Sequence, residues 1–202
     1  MFNGKAKTVK GASRAIPNTL RGQDPAVSPD GSKIAYLQYA DGTLNLATIN
    51  FDGTEKTLLT DFDEGTWMQH PDWSPDGKHI VFSIFRHFRQ DLYIIDADGS
   101  NLRPITWDAW ESQDAHWADD GKIYFSSDPT GVYNIFSYDL ENDKIEQLTN
   151  VISGAECPVI TPEGNLLYTL YTSYGWKLWG LHRGEFFGKD ATDMFVLPKD
   201  AD

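Results

Sequence analysis

One turn constrains this chain more than any other feature, because it recurs. Trp73-Ser74-Pro75-Asp76-Gly77-Lys78 is preceded by Val27-Ser28-Pro29-Asp30-Gly31-Ser32. It is followed by Trp117-Ala118-Asp119-Asp120-Gly121-Lys122 and Ile160-Thr161-Pro162-Glu163-Gly164-Asn165. The turn glycines Gly31, Gly77, Gly121 and Gly164 are spaced by 46, 44 and 43 residues. A repeat of that length built from short strands marks a propeller blade, a unit that buries its faces only by stacking on its neighbours. An apolar strand follows each turn, as in His79-Ile80-Val81-Phe82-Ser83-Ile84, and then a second turn such as Ala40-Asp41-Gly42 or Asp128-Pro129-Thr130-Gly131. Four strands joined by turn signals at short intervals predict an antiparallel meander. The expected fold is therefore all-β, a β-propeller of four-stranded antiparallel blades with four repeats visible.

The repeats are expected at about 23–68, 69–112, 113–154 and 155–181, the last one incomplete. Residues 182–202 lose the pattern and read as an irregular tail. Residues 1–22 read as a loop-like arm. Residues 1–23 carry Lys5, Lys7, Lys10, Arg14 and Arg21 and no acid. That segment is +5 in a chain of net charge −13, so the remainder is −18. Residues 13–16 stand seven before Gln23, as Thr106 does before Gln113, and are expected to supply an outer, ring-closing strand to another blade.

The acidic body argues against nucleic acid as a partner. Cys157 is the only cysteine, so no intrachain disulfide exists. No apolar run is long enough for an integral membrane segment, and no secretory signal peptide is present in the chain.

Pro71-Asp72-Trp73-Ser74-Pro75-Asp76-Gly77-Lys78-His79-Ile80-Val81-Phe82 resembles the repeat of TolB-like propellers, also called the WD40-like or PD40 repeat. Leu92 to Asn101 and the closing Leu-Thr pairs at 59–60 and 148–149 resemble it too. The resemblance covers roughly residues 23–181. Val27 stands where Trp is usual, Ala118-Asp119 replaces Ser-Pro, and Ile160, Thr161 and Glu163 replace Trp, Ser and Asp. Propellers of this kind usually have six or seven blades, so the chain is either a compact four-bladed ring or part of a larger one. The resemblance implies a bacterial, periplasmic or extracellular protein. It also implies either a protein-binding module or the propeller portion of a larger peptidase or polysaccharide or oligosaccharide lyase.

No Gly-x-Ser-x-Gly elbow is present, so a self-contained serine hydrolase is not expected. None of the five histidines has a metal-ligand spacing. The resemblance to propeller lyases, which place metal-binding His and Gln around the axis, singles out Gln69, His70, Gln113 and His116. Their registers differ: His70 aligns with Asp114 and His116 with Asp72, and the two rows are expected to point in opposite directions. They read as polar residues lining a wet channel, and no metal or cofactor is expected. Asp96-Ala97-Asp98-Gly99 reads as a hairpin turn, not a calcium loop, because the twelfth position from Asp96 is Trp107.

Binding surfaces remain. Trp67, Trp107 and Trp110 fall in loops that lead from one blade to the next, on the face that also carries Gln23, Gln69, Gln113 and Glu156. Aromatic residues beside carboxylates there can anchor a peptide or a sugar. Phe85-Arg86-His87-Phe88-Arg89 forms a basic-aromatic loop expected on the opposite edge. The expected function is a non-catalytic scaffold that binds a protein or peptide through its loop face and axial channel, with self-association possible as a way to complete the ring.

Overall fold

The computed structural model describes residues 15–63, 65–86 and 88–195. Its strands form blades in chain order. Blade one contains β1 (Gly22–Val27), β2 (Lys33–Ala40), β3 (Thr43–Asn50) and β4 (Thr57–Leu58). Blade two contains β5 (Trp67–Trp73), β6 (His79–Arg86), β7 (Arg89–Asp96) and β8 (Arg103–Pro104). Blade three contains β9 (Ser112–Trp117), β10 (Ile123–Ser127), β11 (Asn134–Asp139) and β12 (Lys144–Gln147). Among the described residues blade four has only β13 (Ala155–Ile160), β14 (Leu166–Thr172) and β15 (Gly175–Leu181). All pairings are antiparallel.

The recurrent turn holds itself shut. The Ser74 hydroxyl donates to Asp76 Oδ1 at 2.7 Å and accepts the His79 amide at 2.9 Å, while the Lys78 amide also reaches Asp76. Ser28, Asp30 and Lys33 repeat the arrangement in blade one. The Ser74 hydrogen bond is the largest of the effects that hold the Asp76 carboxyl down at about 2. Gly77 takes a φ of +69°, open to glycine without steric cost.

Blade-to-blade packing forms the core. Leu37, Leu44 and Leu46 of blade one meet Ile80, Phe82 and Ile84 of blade two. Val81, Leu92 and Ile94 of blade two meet Ile123, Phe125 and Phe136 of blade three. Ile135 and Leu148 of blade three meet Leu166 and Tyr168 of blade four. Trp73 joins two blades in a second way, its indole N–H donating to the Ala26 carbonyl at 3.1 Å. Val27, at the same position in blade one, is exposed.

A second recurrent device ends the outer strand. The Thr60, Thr106 and Thr149 hydroxyls each accept a backbone N–H at 2.9 Å, from Leu46, Leu92 and Ile135. A hydroxyl thus takes the place of a ladder carbonyl. The outer strands β4 and β8 pair over only two residues each.

The innermost strands pack in a row, β1 on β5, β5 on β9 and β9 on β13, and among the described residues no contact of like extent joins β13 back to β1. The blades form an open arc. Ser13 and Arg14, half of the expected ring-closing strand, lie outside the described residues, and Ala15 and Ile16 run without strand pairing. The tail, expected to be irregular, is docked. After β15 it turns back over blade three. β16 (Lys189–Asp190) pairs with Glu146 and Gln147 as a fifth strand of that sheet, and Phe195 packs edge-on against Phe125 and Phe136.

Candidate functional site

The axial end of the arc is built from one repeated irregularity. Each innermost strand shifts register once, between Gln23 and Ala26, between Gln69 and Asp72, between the partners Tyr124 and Ser126 of β9, and between Glu156 and Val159. Asp24, His70, Asp114 and Cys157 occupy the bulge, each with φ between +48° and +56°. Left-handed conformation at four non-glycine residues is uncommon, and Asp and His tolerate it better than most. A bulge re-aims side chains, and here it turns them onto the neighbouring blade.

His70 Nδ1 lies 2.8 Å from Asp114 Oδ1, and His116 Nδ1 lies 2.9 Å from Asp72 Oδ2. Each imidazole reaches the carboxylate at its own equivalent position one blade away. The Trp117 amide also donates to Asp72 at 3.0 Å. The two rows therefore do not diverge as expected from the sequence. Positions two apart lie on one side of a strand, and His70, Asp72, Asp114 and His116 line a single cavity of about 300 Å³ together with Asp24 and Cys157. The hydrogen bond to Asp114 holds the His70 imidazole above its ordinary range. Burial, reinforced by the Asp114 charge, pushes the Cys157 thiol up to about 11. Burial also raises the Glu156 carboxyl, with Asp114 adding to the effect.

The loop face carries the second cluster. Trp67 pairs across the sheet with Phe85, and Arg89 lies 4.0 Å from the Trp107 ring centroid. Arg86 stands over the Phe62 ring at 5.7 Å. The Phe85–Arg89 loop therefore shares an edge with the inter-blade tryptophans and is not on the opposite edge. The reason is simple: an antiparallel meander changes edge at every turn, so the connection between the second and third strands emerges beside the connection between blades. Trp67, Phe85, Phe88 and Trp107 are all exposed there. Arg86, Arg89, Asp91, Tyr93 and Trp107 border a cavity of about 390 Å³. Asp91 is buried, sits 3.3 Å from Arg89, and has its carboxyl raised by desolvation.

The remaining expected residues separate. Trp110 donates its indole N–H to the Met194 carbonyl at 2.9 Å and so anchors the tail. Gln69 accepts from Gln90 at 3.1 Å. Gln23 is exposed and borders a cleft with Ile16 and Tyr36, away from the axial cavity. Gln113 and Glu156 are half-buried and precede the bulge residues of their blades. Sequence reasoning missed Asp24, Asp72, Asp114 and Cys157. The signal for Asp24, Asp114 and Cys157, shared with His70, was the position after each Gln or Glu, which is followed by proline at residues 25, 71 and 158.

Stacked four-stranded meanders around an axis lined by inner-strand side chains define a β-propeller. The TolB beta propeller domain family, PD40, matches residues 19–178, and the chain belongs to that family. It is 28% identical over 145 residues to the Tol-Pal system protein TolB of Francisella tularensis, covering 69% of this chain and 33% of that one. TolB from Acinetobacter baumannii superposes with a TM-score of 0.70 at 22% identity, over 90% of this chain and 44% of that one. A puromycin-hydrolyzing peptidase of Mycobacterium tuberculosis superposes with a TM-score of 0.66 at 18% identity, over 92% and 32%. The last two are likenesses of fold. The chain spans less than half the length of each of these proteins.

Proposed function

We propose that this chain is a non-catalytic propeller scaffold that binds a protein or peptide through its loop face and axial channel. One observation carries the reading: Trp67, Phe85, Phe88 and Trp107 are exposed on one edge beside Arg86 and Arg89. Large aromatic rings and guanidinium groups are the side chains that dominate protein interfaces, and stacking on a ring holds each guanidinium in place. The axial cavity supports the same reading. Its imidazoles are tied to carboxylates, and its thiol, on a residue that is itself exposed, is held protonated by partial desolvation and a nearby negative charge, the reverse of what a nucleophilic cysteine needs. The relationship to TolB favours a periplasmic or extracellular setting.

The test is a peptide-display screen on the immobilised chain, followed by titration of the strongest peptide. Phe88→Ala combined with Trp107→Ala should weaken binding by roughly tenfold or more without changing the unfolding midpoint. Unchanged affinity would remove the loop face from the function. The alternative, a propeller portion of a larger peptidase or lyase, draws on the likeness to the mycobacterial peptidase. Stoichiometric manganese or calcium retained after dialysis would favour its lyase form.

A further inference from the structure

Blade two departs from its siblings at one strand end. Asn45, Asp91 and Asn134 hold the same place on the third strand of blades one, two and three, opposite Gln38, Ile84 and Ser127. In blades one and three a neutral Asn suffices there. Its side-chain carbonyl accepts a threonine hydroxyl and the amide two residues beyond that threonine. Asp91 keeps both kinds of partner, the Thr106 hydroxyl and the Asp108 amide. The strand end therefore does not require its charge. That charge faces Arg89 at 3.3 Å. Arg89 stands two residues before Asp91, where blades one and three carry Thr43 and Val132. Trp107, whose ring centroid lies 4.0 Å from the Arg89 guanidinium, stands where they carry Asp61 and Asn150.

The three differences act together. The carboxylate holds one edge of the Arg89 guanidinium and the indole holds a face. A guanidinium carries five N–H donors in a planar fork, so a single contact leaves others for a ligand. Arg86 is its partner across the hairpin, exposed and standing over the Phe62 ring at 5.7 Å. Among the described residues Asp91 is the one carboxylate paired with either guanidinium. Two guanidiniums and one carboxylate leave the cleft of about 390 Å³ with a single positive charge, on a chain of net charge −13. The strand order places an exposed ring on each side of this pair. Trp67 lies on β5, the innermost strand, Trp107 follows β8, the outermost, and the hairpin of β6 and β7 lies between them.

Resting on the loop-face reading, we infer that the blade-two hairpin takes an internal Asp or Glu side chain of a bound peptide between Arg86 and Arg89, with apolar residues on either side of it seated on Trp67 and Trp107. An arginine fork matches the two oxygens of a carboxylate. A singly charged carboxylate balances the charge of the cleft, whereas a phosphate group, at about −1.5 to −2, would set its further charge against buried Asp91. Rings on both sides favour an acidic side chain within a chain over a terminal carboxylate, which would leave one ring uncovered.

A random peptide library displayed against the immobilised 202-residue chain tests this. The selected peptides should share one Asp or Glu between two apolar residues. Changing that residue to its amide in the strongest peptide should weaken binding by roughly tenfold or more. Arg86→Gln with Arg89→Gln and Asp91→Asn should do the same. The third change leaves no buried carboxylate unpaired and gives blade two the neutral anchor of blades one and three, so the unfolding midpoint should hold. Arg86→Gln alone, which breaks no internal ion pair, should weaken binding by about severalfold. Selected peptides without an acidic residue overturn the inference, as does binding indifferent to the arginine substitutions. If such peptides still lose affinity on Phe88→Ala with Trp107→Ala, the loop-face reading stands without it. Phosphoserine in place of the acidic residue that binds roughly tenfold tighter would make this a phosphate site and overturn it too. If no peptide is selected, or binding ignores Phe88 and Trp107, the loop-face reading falls and the inference with it.

Discussion

Asn134 of blade three and Lys177 of blade four occupy the same place, opposite Ser127 and Leu170, and their blades end differently. The Asn134 side-chain carbonyl accepts the Thr149 hydroxyl and the Val151 amide, both at 2.9 Å, and so fixes the end of the outer strand. Asn45 does the same with Thr60 and Phe62, and Asp91 is bonded by Thr106. Among the described residues Lys177 meets no acceptor, and its ammonium stands over the exposed Tyr174 ring at 5.3 Å. Among the described residues blade four has no outer strand, and the chain leaves it to pair with blade three. A blade's completeness thus depends on one polar anchor as much as on its apolar pattern.

The comparison can be broken by substitutions at matched positions. The largest expected effect is in the core. Phe136 is fully buried against Phe125 and Phe195, so Phe136→Ala should cost about 3–5 kcal/mol in denaturant unfolding. Trp179, its counterpart opposite Tyr168, is half exposed, and Trp179→Ala should cost clearly less. Equal costs would mean that blade four is packed as tightly as blade three.

Next comes the anchor itself. Asn134→Ala leaves the Val151 amide without its acceptor and should cost about 1–3 kcal/mol, whereas Lys177→Ala should stay within about 0.5 kcal/mol. Hydrogen exchange should show β12 loosening in the first variant and no change around β15 in the second. Asp72→Ala removes the acceptor shared by His116 and Trp117 and should cost about 1–2 kcal/mol, with faster exchange at the Trp117 amide.

The smallest effect is a dependence on pH. His70 is raised in the folded state, chiefly by its bond to Asp114, so the protonated ring contributes stability. That contribution is full below the unfolded value near 6.5 and is lost as pH rises through the higher folded value. The imidazole is half exposed, so the change should be below about 1 kcal/mol. NMR titration should place His70 above 6.5, and Asp114→Asn should bring it down. A His70 that titrates normally in the intact protein would mean that the pair with Asp114 does not hold in solution.

Much of the fold was legible in the chain. Ser74, Asp76 and Gly77 satisfy one another within six residues, so their turn is readable wherever the letters recur. The alternation of Ile80, Phe82 and Ile84 likewise names a strand whose one face must be covered. The site was legible only in part. His70 and His116 stood out by residue type, but their partners lie 44 residues away and depend on a bulge whose signal, a residue between Gln and Pro, carries no side-chain type of its own.

What the sequence determined by itself is local: the blade unit, its turns and its repeat length, because each follows from hydrogen bonds and alternation within a few residues. The tertiary structure decided what joins distant repeats. It set His70 against Asp114, laid the Phe85–Arg89 loop beside Trp107, and folded the tail onto blade three. Those outcomes depend on which blade stands next to which, and a chain of similar blades does not state that in any one of them.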